Sequence, residues 1–151
     1  MTINSLDGNK FLTGQVILIN KPIGWSSFDV VKKIKHLIKI KKKIKKIKVG
    51  HAGTLDPLAT GLLIVCTGKF TKIISTIQNM EKTYTGTITL GESTPSYDLE
   101  TKVDRKHKTS HITEKLLYQT TKKFLGEIQQ TPPIYSAIKQ DGERLYQIAR
   151  R

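Results

Sequence analysis

The segment from Gly50 to Gly61 constrains this chain more than any other part of it. Its sequence, GHAGTLDPLATG, places three glycines, one histidine and one aspartate between a lysine-rich segment and an apolar run. Proline keeps the residue before it out of the α region and fixes its own φ, so Asp56 is held at an element boundary. The spacing is typical of a helix start, with Asp56 as N-cap, Pro57 as first helical residue and Gly61 as stop. The same composition indicates a site rather than scaffold.

The basic charge of the chain is concentrated in one segment. The formal charge of +14 comes from 26 Lys and Arg against 12 Asp and Glu. Ten of the lysines lie between Lys32 and Lys48, and the rest of the chain has 16 basic against 12 acidic residues. A local patch of this kind favours a polyanionic partner such as nucleic acid. A compositional bias toward Lys and Ile is the alternative explanation.

Composition also excludes several classes of protein. The single cysteine, Cys66, lies in an apolar run and cannot build a disulfide framework or a cysteine-rich zinc site, so we expect a buried, reduced thiol. No stretch approaches the roughly 18 apolar residues of a membrane span, and the N-terminus lacks the apolar region of a signal peptide. We therefore expect a cytoplasmic protein without membrane association, of a length typical of one domain.

Hydrophobic periodicity predicts an α+β fold with a mixed, mostly antiparallel sheet and flanking helices. Strands are expected at Gln15–Asn20, Leu62–Thr67 and 83–90, with a short extended piece at Val49. Helices are expected to begin at Ser26, where Asp29 completes a capping box, and at Thr113.

The remaining segments have weaker patterns. The Ser26 helix is expected to fray into a basic loop after Ile38. Shorter helices are expected over Thr71–Gln78 and from Gly142 to the end of the chain. We expect residues 1–13 to be a mobile lead-in and residues 91–108 to be a loop with a short strand near 101–104.

Three common kinds of site do not fit the residues. Gly68–Lys69 is followed by Phe70, so the phosphate-binding loop motif fails. His107 and His111 have the spacing of a helical ligand pair, but Glu114 is the only nearby downstream acid, and no metal site is expected. The nucleophile elbow Gly-x-Ser-x-Gly is missing from the sequence.

The remaining candidate is Asp56, with His51 in the same glycine-rich segment. An ionised aspartate can act as a nucleophile or a general base, and nearby lysines favour the charged form. Tyr84 lies on the next predicted strand. An aromatic side chain beside a basic groove can stack on an unstacked base, although a tyrosine on the apolar face of a strand is more often part of a core.

Five blocks of this sequence resemble one family. Gly50–Gly61 closely resembles the catalytic motif of the bacterial tRNA pseudouridine-55 synthases, the TruB type. The other blocks are Asn20–Ser27, Lys82–Tyr84, Ser96–Asp98, and Pro132–Lys139 together with Gly142, Leu145, Tyr146, Ala149 and Arg150. The resemblance implies a pseudouridine synthase fold, with residues 14–151 as the N-terminal part of the catalytic domain.

The resemblance also implies an activity. Members of the family isomerise a uridine in the TΨC arm of tRNA to pseudouridine, breaking the N-glycosidic bond and re-forming it through carbon five, without cofactor or metal. Asp56 is implied as the catalytic aspartate, which attacks the sugar or the base or abstracts a ribose proton after the nucleotide is flipped into a pocket. The implied substrate-binding residues are His51, Tyr84, Lys21 and Asp98. Phosphate contacts are expected from Lys32, Lys35, Lys39, Lys42 and Lys45, and tRNA is the expected partner of a monomer.

The sequence departs from the family pattern in three respects. It has no match to the family's Gly-Thr-Tyr-Ile-Arg-like motif, whose arginine pairs with the catalytic aspartate. No C-terminal RNA-binding domain is found, so a fold truncated on its C-terminal side is expected. Pro95 stands where many members have an acidic residue. The alternative function is a non-catalytic basic RNA-binding or tRNA-folding protein; a small basic structural protein would leave the segment around Asp56 unexplained.

Overall fold

The computed structural model describes residues 8–136 and 138–149. It divides into two compact units, Met1–Tyr84 and Thr85–Arg151, and each is described by itself. Short helices and antiparallel strand pairs make up both units, so the fold class is α+β, as predicted. The expectations for residues 1–7, Ala137, Arg150 and Arg151 lie outside the described residues.

A three-stranded antiparallel sheet is the centre of the first unit. Its strands are β1 (Val16–Lys21), β2 (Val49–His51) and β3 (Gly61–Thr67), in the order β1-β3-β2. Lys21 pairs with Gly61 and His51 pairs with Val65. The C-terminal ends of β1 and β2 therefore point toward the same end of the sheet, the end at which β3 begins. The predicted strands over 15–20 and 62–67 and the extended piece at Val49 are confirmed.

Helix α2 (Ser27–Lys41) packs its apolar residues against this sheet. Its N-terminus carries the predicted capping box: the Ser26 hydroxyl accepts from the Asp29 N–H at 3.1 Å, and the Asp29 carboxylate accepts from the Ser26 N–H at 3.1 Å. Ile38, together with Leu63 and Val65 of β3, forms the buried core. The helix runs to Lys41, three residues beyond the expected fraying at Ile38, before the basic loop begins.

The expected lead-in is wrong over its second half. Gly8–Thr13 form helix α1, and Phe11 is fully buried in the same core as Ile38 and Leu63. Burial of one phenylalanine side chain stabilises a fold by about 1.5–3 kcal/mol, which favours the packing of this short helix on the core although the segment has no marked helical pattern. After β3 the chain forms a 3₁₀ turn over Gly68–Ile73 and helix α3 (Ile74–Gln78), close to the helix predicted over 71–78.

The predicted strand over 83–90 is absent from the described residues. This stretch pairs with no other described strand, and Tyr84 and Ile88 are 71% and 87% exposed. Alternation shows which residues would share a face, whereas a strand also needs a neighbouring edge for its hydrogen bonds. Residues 83–90 therefore have the alternating sequence of a strand but no partner strand among the described residues.

The described part of the second unit contains two short hairpins and two α-helices. The first hairpin pairs β4 (Glu92–Ser93) with β5 (Arg105–Lys106), which lies slightly beyond the strand expected near 101–104. Helix α4 (Glu114–Thr121) begins as predicted, because the Thr113 hydroxyl accepts from the Leu116 N–H at 3.2 Å. A 3₁₀ turn follows over Lys122–Phe124.

The helix predicted from Gly142 begins later than expected. A hairpin of β6 (Lys139–Gln140) and β7 (Glu143–Arg144) precedes helix α5 (Leu145–Ala149). Asp141 and Gly142 both have positive φ, 52° and 87°, as a two-residue type I′ turn requires. The Asp-Gly pair is a strong hairpin signal, which outweighs the helical pattern that follows it.

Two further expectations concern Cys66 and membranes. Cys66 is fully buried, and burial raises the pKa of its thiol, so the expected burial is confirmed. Among the helices of the described residues, none combines the length and the apolar character that a membrane span needs.

Candidate active site

Asp56 lies on a tight turn at the end of the sheet where β3 begins. The Ala59 N–H donates to the Asp56 carbonyl oxygen at 3.0 Å, which closes a four-residue turn with Pro57 at its second position. Residues 57–60 contain no helix, so the prediction of a helix capped by Asp56 is wrong. The chain enters β3 at Gly61, too soon for a helix to form, and Asp-Pro suits the start of this turn equally well. The Asp56 side chain is exposed.

Lys21 is buried beside this turn. Its Nζ donates to the carbonyl oxygens of Pro22 at 3.0 Å, Trp25 at 2.6 Å and Pro57 at 3.4 Å. Burial lowers the pKa of Lys21, and the negative charge of Asp56 partly opposes that shift. Because three backbone carbonyls surround the ammonium, Lys21 joins the end of β1 to the Asp56 turn and places a positive charge next to it.

Three further hydrogen bonds fix the backbone on either side of Asp56. The hydroxyl of Ser27, which is 2% exposed, donates to the Leu55 carbonyl oxygen at 3.1 Å and accepts from the Leu55 N–H at 2.9 Å. On the other side, the Gly24 N–H donates to the Pro57 carbonyl oxygen at 2.8 Å. The N-terminus of α2 and the loop before it therefore determine where the carboxylate of Asp56 stands.

His51 ends β2 and lies in the segment that leads to the turn. Its Nδ1 hydrogen-bonds the carbonyl oxygen of Gly53. A carbonyl only accepts, so Nδ1 carries the proton and, in a neutral ring, Nε2 is an acceptor. The imidazole is half-buried, with its orientation fixed within the same loop as Asp56.

Two of the predicted substrate-binding residues lie outside the segments that surround Asp56 in the sheet. Tyr84 is the last residue of the first unit and is exposed. Asp98 belongs to the second unit, where its carboxylate accepts from the Glu100 N–H at 2.9 Å. Their substrate contacts stay predictions.

The predicted phosphate-binding lysines lie on α2 and the loop after it. Lys32, Lys35 and Lys39 share a side of the helix by their spacing of three and four residues. Lys32 lies 4.0 Å from the Asp29 carboxylate and 4.7 Å from the centre of the Phe28 ring. Lys42 caps the helix, and Lys45 is exposed in the loop. Their contact with RNA stays a prediction.

Sequence reasoning missed that two further cations lie beside the lysine-rich segment. Lys69 and Lys72, which follow β3, line a pocket together with Lys46 and Lys48. No sequence signal joins these two segments, because their proximity depends on the pairing of β2 with β3.

The described residues contain no group of three or more His, Cys, Asp or Glu side chains that could hold a metal ion. The polar groups around Asp56 are instead an ammonium, a hydroxyl and backbone amides. Such a set suits an acid–base or nucleophilic role for the carboxylate.

Comparison with known families gives the class of protein. A family described as "TruB family pseudouridylate synthase (N terminal domain)" matches residues 39–151, well over half of the chain. The chain therefore belongs to the TruB family of pseudouridylate synthases. The matched region includes the Asp56 turn and both segments of the lysine pocket.

Individual relatives agree with this assignment. A protein of Flavobacterium johnsoniae named tRNA pseudouridine synthase B is 61% identical over 142 residues, which cover 93% of this chain and 62% of the relative. Proteins of the same name from Parabacteroides distasonis and Bacteroides fragilis are 52% and 55% identical over 141 residues, covering 93% of this chain and 60% of each relative. The chain thus spans about three fifths of the length of these relatives.

Proposed function

We propose that this chain is the N-terminal part of the catalytic domain of a tRNA pseudouridine synthase that converts a uridine of the TΨC loop to pseudouridine. The observation that carries the proposal is the exposed Asp56 carboxylate, held on a turn beside the buried Lys21 ammonium, within the segment that most resembles the family's catalytic motif. The proposal includes a pseudouridine synthase fold, a monomer in the cytoplasm, tRNA as partner, and no metal or cofactor.

The isomerisation exchanges one bond to the ribose for another. The bond from C1′ to N1 of the base breaks, the base turns, and a bond from C1′ to C5 forms. The proton on C5 is lost and N1 gains one, so neither an oxidant nor a reductant is required. Asp56 is the group proposed to start this exchange, through attack on the sugar, attack on the base, or abstraction of a ribose proton.

The residues around Asp56 are proposed to bind the flipped nucleotide. Flipping costs a few kcal/mol, and stacking on an aromatic ring returns about 1–3 kcal/mol per base. Tyr84, whose ring is exposed, is the proposed stacking partner, with His51 and Asp98 as further substrate-binding residues. Lys21, expected from the resemblance to bind substrate, is buried with its ammonium on three backbone carbonyls, so we propose that it acts on the substrate through the Asp56 turn. Phosphate contacts are proposed for Lys32, Lys35, Lys39, Lys42 and Lys45.

The Asp56→Asn variant tests this proposal. An unmodified tRNA transcript is incubated with the chain, and pseudouridine is measured by mass spectrometry of nuclease digests. We expect Asp56→Asn to lower the rate of pseudouridine formation by at least about 10³-fold, because the amide cannot act as a base or nucleophile. Its affinity for tRNA should be unchanged.

Asp141→Asn is the matched control. Asp141 is exposed on a type I′ turn, where asparagine fits equally well, so this variant should retain the wild-type rate. Undiminished product from Asp56→Asn would contradict the proposed role of Asp56. Salt-sensitive tRNA binding by the wild-type chain without product would instead favour a non-catalytic RNA-binding protein.

A further inference from the structure

Tyr97 has a backbone conformation that bulky residues rarely adopt. Its φ is +62°, in the left-handed region. Among the described residues other than glycine, three have positive φ, and the other two are Lys43 and Asp141, neither of them aromatic. Aspartate tolerates this region because its short side chain can hydrogen-bond locally, whereas the conformation is strained for a bulky side chain. The structure around Tyr97 must therefore impose it.

Hydrogen bonds between Ser96 and Thr101 close the loop that contains Tyr97. The Ser96 N–H donates to the Thr101 hydroxyl oxygen at 3.1 Å, and the Thr101 N–H donates to the Ser96 hydroxyl oxygen at 3.2 Å. The two hydroxyl oxygens are 2.7 Å apart and share a further hydrogen bond. Ser96 is buried, so these bonds are shielded from water on one side.

Thr94 holds the backbone of the same loop from its other side. The Tyr97 N–H donates to the Thr94 carbonyl oxygen at 3.1 Å, and the Thr94 hydroxyl donates to the Asp98 carbonyl oxygen at 2.7 Å. The residues before and after Tyr97 are thus both fixed by hydrogen bonds. The ring of Tyr97 therefore leaves the loop from a defined position.

The strain at Tyr97 is not offset by packing of its ring. Tyr97 is 79% exposed, so its side chain contributes little to an apolar core. Backbone strain persists where the surrounding structure maintains it, and such residues cluster at binding and active sites. An exposed aromatic ring in a strained, hydrogen-bonded loop indicates a contact with a molecule outside the chain.

The chemistry of the loop favours a nucleic-acid base over a protein surface. The exposed neighbours of the ring are Pro95, Asp98, Leu99 and Glu100, two of which are acidic. The core of a protein interface is instead depleted in charged residues. One aromatic ring is enough to stack on one unpaired base, since every base has a π-face, and the Asp98 carboxylate can accept from an amino group at a base edge.

We propose that Tyr97 stacks on an unpaired base of the substrate RNA, in addition to the base assigned to Tyr84. The inference rests on the proposed function, since it takes RNA to be the substrate. The bases of single-stranded RNA loops are available for such stacking. The contact adds affinity without neutralising a phosphate and without selecting one base.

Tyr97→Asn tests the inference because it removes the ring and suits the backbone. Asparagine is enriched at positive φ, so the loop should keep its conformation. Binding of an unmodified tRNA transcript to wild type and variant is measured by filter binding between about 50 and 200 mM salt. We expect the affinity to fall by a factor of about 5 to 150, the loss of one stacked base. The slope of log affinity against log salt should be unchanged, since no charge is lost.

Amide hydrogen exchange in peptides that contain residues 94–101 measures the loop of the same variant. Exchange as slow as in wild type, or slower, together with the lower affinity assigns the loss to the ring. A purely structural role predicts unchanged affinity in a variant whose loop is intact. If exchange is faster in Tyr97→Asn, Tyr97→Gly takes its place with the same expectation, because glycine adopts positive φ without strain.

Two variants are matched controls. Tyr97→Phe keeps the ring and should retain the wild-type affinity. Leu99→Asn removes an apolar side chain that is 86% exposed in the same loop, and should also leave the affinity unchanged. Unchanged RNA affinity in a Tyr97 variant with an intact loop, an equal loss in Leu99→Asn, or no RNA binding by the wild-type chain would overturn the inference.

The proposed function is judged separately, by product formation in wild type and in Asp56→Asn. A wild-type chain that binds tRNA and forms no product would contradict the proposed function, while the effect of Tyr97→Asn on affinity could still be measured. The two failures are therefore distinguishable.

Discussion

Ser27 shows how a residue without a chemical role can determine where the candidate catalytic group stands. Its hydroxyl forms both polar contacts to the backbone of Leu55, the residue immediately before Asp56. Because Ser27 is buried at the first residue of α2, its hydrogen bonds hold the Asp56 turn in a fixed position relative to the helix. Lys21 does the same from β1 through the carbonyl of Pro57.

We expect Ser27→Ala to displace the Asp56 turn. Removing the hydroxyl leaves the Leu55 N–H and carbonyl without their partner, which costs about 1–3 kcal/mol of unfolding free energy, measured by urea denaturation. Under the function proposed above, the rate of pseudouridine formation should fall with little change in tRNA affinity, as expected of a positioning residue. Ser75→Ala, at an exposed position of α3, is the control and should alter neither quantity. Equal stability of the two variants would show that Ser27 does not hold the turn.

Three residues at the Asp56 site could be anticipated because they lie in two segments that resemble motifs of one family. His51 and Asp56 belong to one segment, and Lys21 belongs to a second block of the same resemblance. The backbone conformation after Asp56 was harder to predict, since Asp-Pro fits both a helix start and a tight turn. The Lys69 and Lys72 side of the pocket could not be predicted, because it depends on which strands are neighbours.

Among the elements, α2 has the most sharply defined start. Hydrogen bonds from the Ser26 hydroxyl and then from its backbone N–H lower the pKa of Asp29, with a smaller contribution from the charge of Lys32. A carboxyl whose folded pKa lies below its unfolded value contributes stability above the unfolded value. That contribution is lost as the pH falls through the folded value.

We expect Asp29→Asn to remove this acid-sensitive stability. The variant should be less stable than wild type at neutral pH, and the difference should shrink as the pH falls below about 4, the ordinary range of an aspartate. Thermal unfolding followed by circular dichroism across this range measures it. Ser26→Ala is the matched variant: it keeps the carboxylate, should cost about 1 kcal/mol, and should lose most of the same pH dependence. A stability difference that stays constant with pH would contradict the assignment.

Elements with both a periodic pattern and a local start signal were predicted well. The strands β1 and β3 and the helices α2 and α4 are in this group. Residues 83–90 have an equally clear pattern, but a strand forms only beside a partner. At 139–144 the sequence prediction is wrong in the opposite sense, because the helical pattern that starts at Gly142 conceals the turn chemistry of Asp141–Gly142.

At the scale of the whole molecule, the two units differ in how much apolar surface they bury. Phe11, Ile38, Leu63 and Val65 are at most 1% exposed in the first unit. In the described part of the second unit Ser96 is the one buried residue, and Leu99, Phe124 and Leu125 are 86%, 67% and 75% exposed. Burial of apolar surface is the main source of stability, so we expect the second unit to have the smaller free energy of unfolding.

We expect amide hydrogen exchange to reflect this difference. Exchange in α4 should be at least about 10²-fold faster than in α2, although both helices begin with a hydrogen-bonded cap. Mass spectrometry of peptides from the two helices measures the rates, and each helix serves as the control for the other. Similar protection in both would show that the second unit gains stability from a source other than its own core.

The burial of Phe11 has a consequence for where the first unit begins. Its ring belongs to the same core as Ile38 and Leu63, although Phe11 precedes the first strand of the sheet. A form of the chain that started at β1 would leave a cavity in that core, and loss of a buried phenylalanine side chain costs about 3–5 kcal/mol. The smallest stable form of the first unit therefore includes α1.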